Sequence, residues 1–99
     1  MLRLEARFAL LRGEADKAVN LWKKFLAGEG AAFDWETYLK AEPETREAAL
    51  RDHYDFGVAL AQAGERQRAR DVWQRGSHYP LEPGNHVWHE SVNTALQGL

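Results

Sequence analysis

The chain reads as an all-α protein built from helix–turn–helix pairs, about five helices within one domain. Three observations predict this. Apolar residues recur three and four positions apart in successive segments, glycine or proline stands where most segments end, and no stretch alternates at period two for long enough to argue a strand. A length of 99 residues fits a single domain.

The first helix is expected from about Leu2 to Arg12, where Leu4, Phe8 and Leu11 share helical spacing. Gly13 breaks the pattern at a position suited to a left-handed residue. A second helix follows from about Glu14 to Ala27, striped by Ala18, Leu21, Trp22, Phe25 and Leu26. Glu14 and Asp16 near its start and Lys23 and Lys24 near its end suit the helix dipole, and Gly28-Glu29-Gly30 stops it. Residues 31–42 place Phe33, Trp35, Tyr38 and Leu39 at mixed spacing; a helical connector is expected there, with Asp34 capping a short helix to about Lys40.

Pro43 suits the first position of a long helix running to about Ala63. Leu50, Tyr54, Gly57, Val58 and Ala61 fall on one of its faces, and Gly64 ends it. The next helix spans about Arg66 to Ser77, with Ala69, Val72, Trp73 and Gly76 on one side. Residues 78–84 form a turn-rich break. Asn85 then caps a last helix carrying Val87, Trp88, Val92, Ala95 and Leu96.

Composition narrows the function classes. An apolar share of 44 % is too rich for a disordered chain. The chain has no cysteine, which excludes disulfides and thiolate metal sites. Thirteen basic residues against fifteen acidic ones give no broad electrostatic surface for nucleic acid. No apolar run approaches the ~20 residues of a membrane span. Arg3, Glu5 and Arg7 interrupt any signal-peptide core, so the expected compartment is the cytoplasm.

Two segments overlay at a shift of 51 residues, which carries Gly13 onto Gly64. The same shift carries Ala6 to Gly57, Glu14 to Glu65, Lys17 to Arg68, Ala18 to Ala69 and Trp22 to Trp73. Each match has a physical reason. A small residue at Ala6 or Gly57 lets helices approach closely, and Gly13 or Gly64 allows the backbone reversal. Ala18 or Ala69 sits at the helix crossing. Trp22 or Trp73 lies one turn later and fills the space between pairs.

This pattern resembles the tetratricopeptide repeat, which pairs a small residue in its first helix with Ala-x-x-x-aromatic in its second. The matching copies cover about half of the chain; the repeats they imply would span about 1–30 and about 43–80, with a connector at about 31–42. A family period of ~34 counted from Gly57 reaches Ser91, so the helix at about 85–97 would be a terminal half repeat. The chain departs from the family in carrying an insertion of about seventeen residues between copies. It also has Leu2 and His53 at the early bulky position, and Ala9 and Leu60 at the late aromatic one.

The resemblance implies a short superhelical stack whose first helices line a groove for a protein or peptide partner. Carried over by position, the groove residues are Arg3, Arg7 and Leu10 in the first helix, Tyr54, Val58 and Ala61 in the third, and Trp88 and Val92 in the last. Two arginines and a set of stiff aromatic anchors would suit a segment with an acidic group and bulky apolar side chains. The lysine–asparagine clamp of chaperone-binding members is replaced here by Arg3, Arg7, Tyr54 and Val58. The same features fit a helical homo-oligomerisation unit whose groove is filled by its own chain or a second copy. Leu2, Leu4 and Leu10 have no preceding helix pair to cover them, so either they pack on the inserted connector or another chain covers them; a homodimer is expected, with a fragment of a longer repeat array as the other reading.

Enzymatic function is not expected, and no cofactor or metal is implied. His86 and His89, three apart, lack the His-Glu-x-x-His spacing of zinc hydrolases. No phosphate loop or nucleophile elbow occurs. Asp52 with Asp55, and Glu42 with Glu44, read as a solvated helix face, and Arg66, Arg68, Arg70 and Arg75 as an exposed basic face.

Overall fold

The computed structural model describes residues 2–28, 40, 42–78 and 86–98. These form five helices and no strand: α1 (Leu2–Leu11), α2 (Ala15–Gly28), α3 (Pro43–Gln62), α4 (Arg66–Ser77) and α5 (His86–Gln97). Each boundary falls within a residue or so of its sequence expectation, and Pro43 opens α3 as anticipated. The connector at 31–42 lies outside the described residues except for Lys40 and Glu42, and Asn85, the expected cap of α5, lies outside them as well.

The two tight turns have one construction. Gly13 and Gly64 adopt φ of 79° and 87°. The Gly13 and Glu14 amides donate to the carbonyls of Leu10 and Ala9, and the Gly64 and Glu65 amides to those of Ala61 and Leu60. This is the Schellman arrangement, which only a left-handed residue closes without steric cost. The carbonyls of Glu14 and Glu65 then accept from Ala18 and Ala69 to start the next helix. Glu14 also pairs with Lys17 at 3.6 Å and Glu65 with Arg68 at 3.2 Å. The 51-residue shift therefore maps bonds onto bonds.

Such short turns fold α1 against α2 and α3 against α4 as antiparallel neighbours. Helix α3 also packs on α2, and α5 packs on both α3 and α4. Ala6, Ala9, Ala18, Ala59 and Ala69 are completely buried at these crossings. Trp22, 1 % exposed, stacks edge-on against Phe25 at 5.7 Å and lies 6.4 Å from Phe56, so it joins the first helix pair to α3. Burying a side chain of this size stabilises the fold by about 2–3 kcal/mol. Trp73 behaves differently. Its indole Nε1–H donates to the Tyr54 carbonyl at 3.1 Å, and the same edge of the ring lies against Gly57, where a Cβ would collide with it.

Two placements depart from the sequence reading. Leu4, Phe8 and Leu11 form an outward stripe, while Ala6, Ala9 and Leu10 make the packed face of α1. Periodicity identifies a stripe but cannot say whether it faces inward. His53, at a position where the resemblance expects a bulky apolar residue, is fully buried. Burial lowers its pKa to about 3, with Arg75 adding to the effect and the Ala49 hydrogen bond opposing it. The neutral ring therefore donates from Nδ1 to the Ala49 carbonyl at 2.7 Å.

Candidate functional site

Arg3 and Arg7 stand one turn apart on α1, and Asp52 and Asp55 one turn apart on α3. The matched spacing lets the two helices pair through side chains. Arg3 donates to Asp52 at 2.8 Å. Arg7 bridges both acids, donating to Asp55 at 2.7 Å and to Asp52 at 3.2 Å. The guanidinium of Arg3 also lies 4.8 Å from the ring centre of Phe25, and that of Arg7 lies 5.6 Å from Trp22. Each arginine is thus held between an aromatic face of α2 and a carboxylate of α3, a setting that favours the planar guanidinium over a lysine.

Asp52 is only 2 % exposed. Its burial raises the carboxyl pKa to about 6, and the charge of Asp55 adds slightly; Arg3 and Arg7 pull the other way without cancelling the effect of burial. The expectation that Asp52 and Asp55 form a solvated face is therefore wrong. A helix face that would meet water in isolation meets α1 here.

The network continues toward α5. Arg51 sits 3.6 Å from Asp55 and stacks on Trp88 at 5.0 Å. The Trp88 indole lies 6.1 Å from the Tyr54 ring, and its Nε1–H points to Glu47 Oε1 at 3.4 Å. Between these helices lies a cleft of about 240 Å³. Arg3 and Arg7 from α1, Glu44, Glu47 and Arg51 from α3, and Trp88 from α5 line it.

Of the anticipated groove residues, Arg3, Arg7 and Trp88 meet at this cleft. Tyr54 backs Trp88, and Val58 packs half-buried against the core. Val92 is completely buried and presents no surface to a ligand, so its expected groove role is corrected to a core role. The sequence reading missed Glu47 and Arg51, and it placed Glu44 only on a solvated face. Their signal was available: Glu44, Glu47, Arg51 and Asp55 recur at three- and four-residue steps along one face of α3.

The arginines are already engaged, although the buried Nε–H of Arg3 has no hydrogen-bond partner among the described residues. Three guanidiniums, of Arg3, Arg7 and Arg51, stand against four carboxylates, of Glu44, Glu47, Asp52 and Asp55. A ligand carboxylate would have to compete with Asp52 and Asp55. Of the other lining groups, Glu44 is exposed, while Glu47 and Trp88 are half-buried and bonded to each other.

His89 is buried, and among the described residues no three His, Cys, Asp or Glu side chains gather as metal ligands. Arg66, Arg68, Arg70 and Arg75 are all exposed but flank α4 on opposite sides. Among the described residues no helix is long and apolar enough to cross a membrane. No family model matches the chain, and neither curated proteins nor solved structures give a match.

Proposed function

We infer that the chain is a short tetratricopeptide-like stack that acts as a non-enzymatic protein-interaction module and holds a partner segment in the cleft between α1, α3 and α5. One observation carries this reading. In the repeat order α1, α3 and α5 are the first-type helices, and the cleft draws its lining from all three. The repeated turns at Gly13 and Gly64 and the repeated Ala-x-x-x-Trp support the same stack.

The charge balance sets the partner's chemistry. An acidic segment fits poorly where Asp52 and Asp55 already hold the arginines. A segment placing a lysine or arginine at Glu44, with an apolar group against the half-buried edge of Trp88, suits the cleft better.

A randomised peptide display against the purified chain tests this. Binders enriched in a basic residue next to an aromatic or aliphatic one are expected, and they should shift the Trp88 indole resonance. Glu44→Lys should weaken them at least tenfold, because that exposed position contributes charge rather than packing. Binders that leave Trp88 unperturbed, or that ignore the charge reversal, would remove the cleft from the account.

A further inference from the structure

The outward stripe of α1 is separate from the cleft. Leu4, Phe8 and Leu11 are 47 %, 55 % and 82 % exposed, and they follow one another at four and three residues along one helix face. Isolated apolar side chains on a surface need no explanation, but a continuous stripe does. The repeat tells what kind of surface it is. The 51-residue shift places Leu4 on Asp55, Phe8 on Ala59 and Leu11 on Gln62. In the second copy Asp55 bonds Arg7 and Ala59 is fully buried, while Gln62 is exposed. The Leu4 and Phe8 part of the stripe thus corresponds to positions that the second copy packs away.

The two ends of the stack differ. Apart from Val87, the outward positions of α5 are polar, with Glu90, Asn93, Thr94 and Gln97 exposed. A polar outer face is what closes a helical stack against solvent. It also makes a poor match for an apolar stripe, so a head-to-tail contact of α1 on another copy's α5 is disfavoured. The stripe matches itself. In an antiparallel pairing of two α1 helices, Leu4 of one copy meets Leu11 of the other and the two Phe8 rings meet at the dyad. Glu5 and Arg12, exposed on one flank and seven residues apart, then approach the opposite charge across the pair, Arg12 from beside its own exposed contact with Glu14 at 3.5 Å.

We propose that a second copy of this chain covers the stripe, giving a two-fold dimer through antiparallel α1 helices with Leu4, Phe8 and Leu11 at its centre. Three side chains of one helix bury well under the ~800 Å² per partner of a standard stable interface, so the dimer is weak and reversible. Closed two-fold pairing ends at the dimer, whereas head-to-tail contacts would keep growing.

Sedimentation velocity from low micromolar to millimolar concentration tests this. The wild type should pass from monomer to dimer and stop there. Phe8→Glu, at an exposed position, should keep its helical circular dichroism and stay monomeric throughout. Glu5→Arg and Arg12→Glu should each weaken the dimer several-fold, and the double exchange should restore it. A wild type that is monomeric at every concentration overturns the proposal. So does a dimer that survives Phe8→Glu, an assembly that grows past two, or a double exchange that fails to rescue. All of these readouts are independent of peptide binding at the cleft.

Discussion

Trp73 lies against the bare backbone of α3 at Gly57, close enough that its indole hydrogen-bonds the Tyr54 carbonyl one turn earlier. The equivalent residue in the first pair, Ala6, carries a Cβ and is completely buried. The same position in the repeat thus admits a Cβ in the first pair and excludes one in the second. Gly57→Ala should cost about 3 kcal/mol, from overpacking and the loss of the indole hydrogen bond. Ala6→Gly should cost only about 1 kcal/mol, through helix propensity. Urea denaturation of both variants checks this; equal costs would mean that the Trp73 contact is not what selects glycine.

The two turns offer a matched pair. Gly13 and Gly64 both have positive φ, and a Cβ built at either meets nothing within 4 Å. The only cost of a side chain there is the left-handed backbone. Gly13→Ala and Gly64→Ala should therefore destabilise alike, by about 1 kcal/mol each, with the asparagine variants milder. Unequal melting shifts would count against the shared construction.

Arg7 serves both Asp52 and Asp55 from a mostly buried position. Arg7→Met keeps much of the stem and removes the charge, which should cost about 3 kcal/mol. Arg68→Met removes an exposed pair with Glu65 and should cost under about 0.5 kcal/mol. Asp52→Asn should cost less in the Arg7→Met background than in the wild type, because one of the two guanidinium partners of Asp52 is already gone. A double-mutant cycle reads this coupling, and strict additivity would contradict it.

Asp52 and His53 are neighbours with opposite pH responses. Asp52 is raised from 3.8 to about 6, so within that window the folded state holds a proton that the unfolded chain has released. Its contribution to stability falls as pH rises. His53 is lowered from 6.5 to about 3, so the unfolded chain takes a proton that the folded state refuses, and its contribution falls as pH drops. The two oppose each other between about pH 4 and pH 6. Asp52→Asn removes the first contribution only. From pH 6 to pH 4 the variant should lose about 1 kcal/mol per pH unit more than the wild type. Parallel profiles in denaturant titrations at fixed pH would rule this out.

The helices and their turns were legible because their causes are local. A glycine at the reversal, Pro43 at a helix start and Ala–Trp pairs at i, i+4 act within a few residues of chain. The 51-residue repeat was legible for the same reason, since it repeats local causes. The site was only partly legible. Arg3, Arg7 and Trp88 were anticipated, but Asp52 and Asp55 were read as solvated because nothing near them in sequence announces a partner 45 to 49 residues away.

By itself the sequence determined the helical content, the two repeated turns and which residues share a helix face. It could not determine which way each face points. Helical spacing made a stripe of Leu4, Phe8 and Leu11 and another of Val87, Trp88 and Val92, yet packing turned the first to solvent and buried Val92. That choice belongs to the tertiary structure. A helix rotates about its axis until its smallest residues, here Ala6 and Ala9, meet the neighbour that approaches most closely, and only the assembled helices specify where that neighbour lies.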